Sequence, residues 1–172
     1  FVDAATGEVK RKVEWPQEPI ALSLSNAHRL LAIVDPGGAS LTFSDAETGR
    51  TIRRLSPRPG YSFFDVWFAP DGKHFLTVDD SGPPPPPDQQ PRGIELAWWA
   101  PGARQPALTI PVDGAQFPFG FRADSKALAV GRGDGSVSIY DLPRGARRDL
   151  HGRHNAAVQA VDTPGTARLP RI

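Results

Sequence analysis

Four histidines, His28, His74, His151 and His154, are the only imidazoles in the chain. Each falls in or beside a turn, without the carboxylate or second-histidine spacing that a metal site needs. His28 and His74 read as equivalent positions of two hairpins, which favours hairpin structure over chemistry. Asp79, Asp80 and Ser81 offer consecutive oxygens to a calcium ion, yet the alternating acidic loop with a distal Glu is missing. The run GRGDGS at Gly131–Ser136 lacks the GxxxxGK spacing that cradles a phosphate and reads as a turn. The Arg132-Gly133-Asp134 triplet inside it looks like an adhesion motif, and in a short β-turn it reads as chance. Cysteine is absent, which removes disulfides, thiolate nucleophiles and Cys-based zinc sites together. No nucleophile elbow occurs. The expectation is a protein that is not an enzyme and takes no metal or cofactor.

Binding chemistry has better candidates. Pro83, Pro84, Pro85, Pro86 and Pro87 form a polyproline stretch whose extended rod an aromatic groove can read. A tolerated surface insertion is the weightier reading and a docking peptide the sharper one. Trp98 and Trp99 are adjacent, so in a strand they point to opposite faces. One indole belongs between sheets, and the other faces a neighbouring sheet or solvent, where it would make a binding hot spot. Tyr61, within Arg58–Tyr61, borders the same general surface, as does the stretch from Gln105-Pro106 to Asp113-Gly114.

The elements that must position these residues repeat. Gly7, Gly49, Gly102 and Gly145 stand 42, 53 and 43 residues apart. The long step contains GPPPPPDQQPR at Gly82–Arg92, whose removal restores a period of about 42 residues. Within each period lie four short apolar runs separated by turn residues. Helical alternatives fail, because no segment keeps an i, i+3, i+4 apolar pattern over three turns and 19 Pro with 17 Gly would interrupt it. The first complete unit has strands near 20–25, 30–35, 40–44 and 51–55. The second has them near 63–68, 74–78, 94–99 and 107–110. The third has them near 117–121, 127–130, 136–140 and 147–150. Asp71-Gly72 marks a two-residue hairpin in which both positions take positive φ. A half unit at 1–15 precedes these, turning at Thr6-Gly7, and 157–161 reads as the first strand of another.

These units resemble WD40 repeats of the bacterial style. FAPDGKHFLTVDD at Phe68–Asp80 is similar to the family's first hairpin, and SVSIYDLPRG at Ser136–Gly145 to its third strand and turn. Tyr140-Asp141 stands where the family often has Trp-Asp, with Ser44-Asp45 and Trp99-Ala100 at the same place in the other units. The family's Gly-His pair appears only as Gly152 with His154, and the turn aspartate such a His would meet is Asp134. Asp71, Gly72, Asp134, Tyr140, Asp141 and His154 are thus the structural turn and network residues that the resemblance implies. It implies an all-β fold of β-propeller blades, each of four antiparallel strands: about three complete blades plus partial blades at both ends. The expected division is a half blade at 1–15, blades at 16–58, 59–114 (with insertion 82–92) and 115–152, and a partial blade at 153–172.

The same resemblance implies a non-catalytic interaction platform, a scaffold or sensor segment of a longer bacterial signalling protein that binds other proteins or peptides. The alternative is a propeller enzyme, a hydrolase or dehydrogenase with a site in the central channel, for which Asp65 and Arg122 are the only obvious polar candidates. The two end segments could join into one blade closing a small ring, but Pro164 and Pro170 make the last segment a poor strand. An open arc cut from a larger ring is favoured, and two copies could close such a ring as a homodimer.

Composition sets the remaining bounds. A net charge of +1 gives no general attraction to nucleic acid or an anionic membrane. The basic cluster Arg144, Arg147, Arg148 and Arg153 reads as a solvated outer strand and turn. No run of eighteen apolar residues spans a membrane, and no signal peptide is seen. The lack of Met, even at position 1, gives the expectation that the chain is a piece of a longer product, in which targeting signals could lie upstream. The compartment stays open, with the cytoplasm favoured.

Overall fold

The computed structural model describes residues 5–9, 12, 18–25, 27–80, 93–112, 118–132 and 134–150. Among them the chain is all-β, with three four-stranded antiparallel sheets and one short 3-10 turn at Pro36–Gly38. The first sheet holds β1 (Ala21–Ser25), β2 (Leu30–Val34), β3 (Leu41–Asp45) and β4 (Thr51–Leu55). The second holds β5 (Ser62–Phe68), β6 (Phe75–Asp80), β7 (Ile94–Trp99) and β8 (Leu108–Val112). The third holds β9 (Phe119–Phe121), β10 (Ala127–Gly131), β11 (Val137–Asp141) and β12 (Ala146–Asp149). In each sheet the spatial order follows the chain order, so every connection inside a sheet is a hairpin.

The burial pattern explains why the apolar runs sit where they do. Middle strands such as β2, β6 and β10 are covered on both faces; LLAIV and ALAVG read as continuous apolar segments, whereas FLTVDD buries Thr77 and Asp79 among its apolar residues. The last strands are more exposed: β12 is ARRD, exposed throughout, β4 is TIRRL with only Leu55 buried, and β8 is the uncharged LTIPV with Ile110 and Val112 buried. Pro111 sits in β8, an edge strand of its sheet, where a missing N–H costs no ladder bond.

The sheets pack face to face in chain order around two separate cores. Ala32, Val34, Leu41, Phe43 and Leu55 of the first sheet meet Phe63, Val66, Phe75, Ala97 and Trp99 of the second. Leu76, Val78, Leu96, Trp98 and Ile110 from the other face of the second sheet meet Leu128, Val130, Tyr140 and Leu142 of the third. Side-chain alternation therefore splits the adjacent tryptophans, one into each core. Both are buried, at 4% and 1% exposure, so the sequence alternative of a solvent-exposed indole at this pair is not realised. Trp98 stacks on His74 at 5.1 Å between ring centroids and 3° between planes, while Trp99 stacks on Phe75 at 5.6 Å and 8°.

The repeat is visible in the backbone. Gly7, Gly49, Gly102 and Gly145, the glycines that carry the sequence period, all adopt φ between +68° and +74°, a left-handed conformation that favours glycine. Two turn readings need correction. Asp71-Gly72 is not a turn with both residues at positive φ, because only Gly72 (φ +66°) is left-handed. The loop is longer: Gly72 N–H donates to the Ala69 carbonyl, and Ala69 N–H to the His74 carbonyl. His28 and His74 are not equivalent either. The hairpins close on Ser25 with Leu30 and on Ala69 with His74, which places His28 opposite Gly72 in the repeat rather than His74.

Candidate functional site

At one end of the second sheet a charged cluster forms from residues far apart in sequence. Arg58, in the connection between β4 and β5, lays its guanidinium 3.9 Å from the centre of the Tyr61 ring. It reaches Glu95 of β7 at 2.6 Å and Asp79 of β6 at 3.4 Å. The Tyr61 hydroxyl donates to Glu95 at 3.3 Å. Asp79 is fully buried, and burial pushes its carboxyl above the usual range although the Thr77 hydroxyl and Arg58 oppose this. Burial alone would lower Arg58, but Glu95, Asp79 and Tyr61 outweigh it and hold the guanidinium above its ordinary value. Behind this cluster the Trp99 indole N–H donates to the Thr77 hydroxyl at 2.9 Å. The arrangement ties the β4–β5 connection to the sheet that follows it. Its one partly exposed aromatic, Tyr61, is locked by both a hydrogen bond and a cation–π contact.

A second feature lies on the first strands. In β5 the register slips between Phe63 and Asp65: Phe63 pairs with Asp79 and Asp65 with Val78, leaving Phe64 without an opposite residue. Ordinary alternation would set Phe63 and Val66 on opposite faces, three residues apart. The bulge cancels one step, so both enter the core shared with the first sheet. Phe64 and Trp67 are correspondingly left off that core face, 63% and 48% exposed. Trp67 is braced edge-on by Phe119 of β9 at 5.7 Å. On β1, Leu22 and Leu24 are 62% and 42% exposed. Sequence reading missed these residues; FFDVWF breaks strict alternation, and that irregularity was the available sign.

The residues singled out from sequence fall as follows. Pro83–Pro87 and His154 lie outside the described residues. Tyr61 joins the Arg58 cluster, and Trp98 is a core residue. Asp71 holds its own turn: its carboxylate accepts the Lys73 and His74 N–H groups and lies 2.6 Å from the His74 ring. Burial raises this carboxyl, but those hydrogen bonds prevail and keep it below the ordinary value. Asp71 N–H also donates to the Ser125 hydroxyl of the third sheet's first hairpin, and the Ser25 hydroxyl donates to the Gly72 carbonyl. Asp134 accepts the Ser136 N–H and hydroxyl. The Tyr140 hydroxyl accepts from Arg132, and Asp141 accepts the Arg144 N–H at its turn.

The residues of two catalytic or metal readings have local partners. Asp65 accepts the N–H of its neighbour Val66 while Arg122 pairs with Asp124, so each answers to a local partner. Asp79 is buried against Arg58 whereas Asp80 is exposed, as strand alternation requires, so the two carboxylates do not converge on a calcium ion. Among the described residues no group of three His, Cys, Asp or Glu is placed to hold a metal, and no helix is long and apolar enough to cross a membrane. A comparison of the chain with protein-family models and with curated proteins finds no match.

Proposed function

We propose that the chain is part of a WD40-like β-propeller that serves as a non-catalytic protein-interaction platform, with β1 and β5 presenting the contact residues. Stacked four-stranded sheets, each entered by its first strand at one edge, support the propeller reading. The observation that carries the functional reading is the β5 bulge, which leaves Phe64 and Trp67 both exposed; Leu22 and Leu24 of β1 add exposed apolar surface on a neighbouring first strand. A large aromatic held half out of a rigid sheet, braced by Phe119, binds a peptide at little entropic cost. Scattered apolar residues on a surface are ordinary, but a bulge that re-aims an aromatic is a built feature.

The test is selection of peptides from a random displayed library on the intact chain, followed by affinity measurement on variants. Phe64→Ala and Trp67→Ala are expected to weaken the selected peptides by about tenfold or more, as hot-spot truncations do, with the thermal midpoint little changed. Peptides that bind the variants as tightly as the parent, or turnover of a substrate by this chain, would overturn the proposal.

A further inference from the structure

Between the first and second sheets, at the end where the β1–β2, β5–β6 and β7–β8 turns meet, lies a half-open cleft of about 340 Å³. Its lining includes Phe43, Phe68 and Phe75, which contact one another edge-on at 5.0 to 6.4 Å between centroids. Ile52 of β4 stands at the cleft and is 52% exposed. Arg53 comes from the first sheet and Lys73 from the second, so each wall contributes one cation. No Asp or Glu lines the cleft, and neither cation has a carboxylate partner among the described residues. Arg53 donates one N–H to the Ala103 carbonyl, which positions the guanidinium and leaves its other donors available. The nearby Asp71 carboxylate is taken up by its own turn.

We infer that this cleft binds a small amphipathic carboxylate, an arylalkyl acid whose ring lies on the phenylalanine floor and whose carboxylate lies between Arg53 and Lys73. The volume is at the low end of the range of about 300–1,000 Å³ usual for small-molecule sites, which suits one ring and a short chain. An apolar floor with two unneutralised cations and no carboxylate complements an anion and not a cation or a neutral polar molecule. His28, whose ring nitrogen lies 3.2 Å from the Asp71 carbonyl, closes one side against Gly72. A Cβ on Gly72 would lie 2.5 Å from the Ser25 hydroxyl and 3.1 Å from the His28 ring, so glycine there lets the two turns meet and form this wall. The cleft does not include the exposed Phe64, Trp67, Leu22 or Leu24.

The experiment is calorimetric and ligand-observed NMR titration of the intact chain with 4-phenylbutyrate and with its neutral amide. The acid is expected to bind about tenfold more tightly than the amide, and Lys73→Gln and Arg53→Gln each to weaken the acid about five- to tenfold while leaving the amide unchanged. Ile52→Glu, at an exposed position, is expected to abolish acid binding without altering the circular dichroism. Equal affinity for acid and amide, no binding of the acid, or acid binding that survives Ile52→Glu would overturn the inference. Because Lys73 and Ile52 are exposed, their variants keep the test decisive even if Arg53→Gln disturbs the Ala103 contact.

Discussion

The hydrogen bond from Trp99 to Thr77 offers the sharpest quantitative test of how the sheets are built. Trp99 is 1% exposed and Thr77 fully buried, so their 2.9 Å contact has no water to replace it. Replacing Trp99 with Phe keeps a ring on Phe75 but removes the N–H donor and part of the packed surface. The expected cost is about 2–3 kcal/mol, of which about 1 kcal/mol is the net hydrogen bond and the rest the void. Thr77→Val, equal in shape, removes the acceptor together with the hydroxyl's hydrogen bond to buried Asp79, a loss that is the same whether or not Trp99 is replaced. A double-mutant cycle cancels the void and isolates the bond, and the expected coupling is about 1 kcal/mol. Trp98 supplies the internal control, since it faces the other core; the cycle of Trp98→Phe with Thr77→Val should give less than about 0.5 kcal/mol. The assay is urea unfolding of the four proteins of each cycle. Coupling near zero for Trp99, or equal coupling for both tryptophans, would refute the assignment of the two indoles to opposite faces.

Two further outcomes follow from burial and backbone. Asp79 titrates above its ordinary value of about 3.8 because it is buried, so the folded state holds its proton more tightly than the unfolded chain. Wild-type stability should therefore fall, from this group, as pH rises from about 3.8 through the raised value. Asp79→Asn, which mimics the protonated form and leaves Arg58 its contact with Glu95, should raise the thermal midpoint at pH 7 and give no gain at low pH; a loss at pH 7 would contradict this. Gly38 has φ +68°, and a Cβ there would lie 2.2 Å from the Phe63 carbonyl oxygen. Gly38→Ala should cost more than about 2 kcal/mol by denaturant unfolding, combining left-handed strain with a backbone clash, and a neutral result would mean that the 3-10 turn does not abut β5.

Much of the fold was legible because its determinants are local. Apolar runs such as LLAIV and IELAWW, and the glycines at a fixed phase, place strands and turns without knowledge of partners. The adjacent Trp98 and Trp99 announce a sheet covered on both faces, although only the packed structure shows that neither indole reaches solvent. What sequence did not disclose depends on distant pairing. Arg58 meets Asp79 and Glu95 across 21 and 37 residues, and nothing near Arg58 names those partners. The β5 bulge is set by register against β6, so period-two reading alone cannot show that Phe63 and Val66 share a face. The mistaken equivalence of His28 and His74 has the same origin. The first hairpin closes with a left-handed Arg29 (φ +53°) where the second uses Gly72, and a slip of that kind is invisible until the closing pairs are known. The cleft needs two sheets and three turns at once.

The most direct test of the platform account is fluorine NMR of the chain labelled with 5-fluorotryptophan, its resonances assigned by single Trp→Phe variants. Shifts are compared between H2O and D2O, with and without a selected peptide. The account predicts a solvent-isotope shift at Trp67 and none at Trp98 or Trp99, and a peptide-induced change that moves Trp67 but neither Trp98 nor Trp99 and reduces the solvent shift of Trp67. A solvent-shielded Trp67, or a peptide that perturbs Trp98 or Trp99 while leaving Trp67 unmoved, would contradict it.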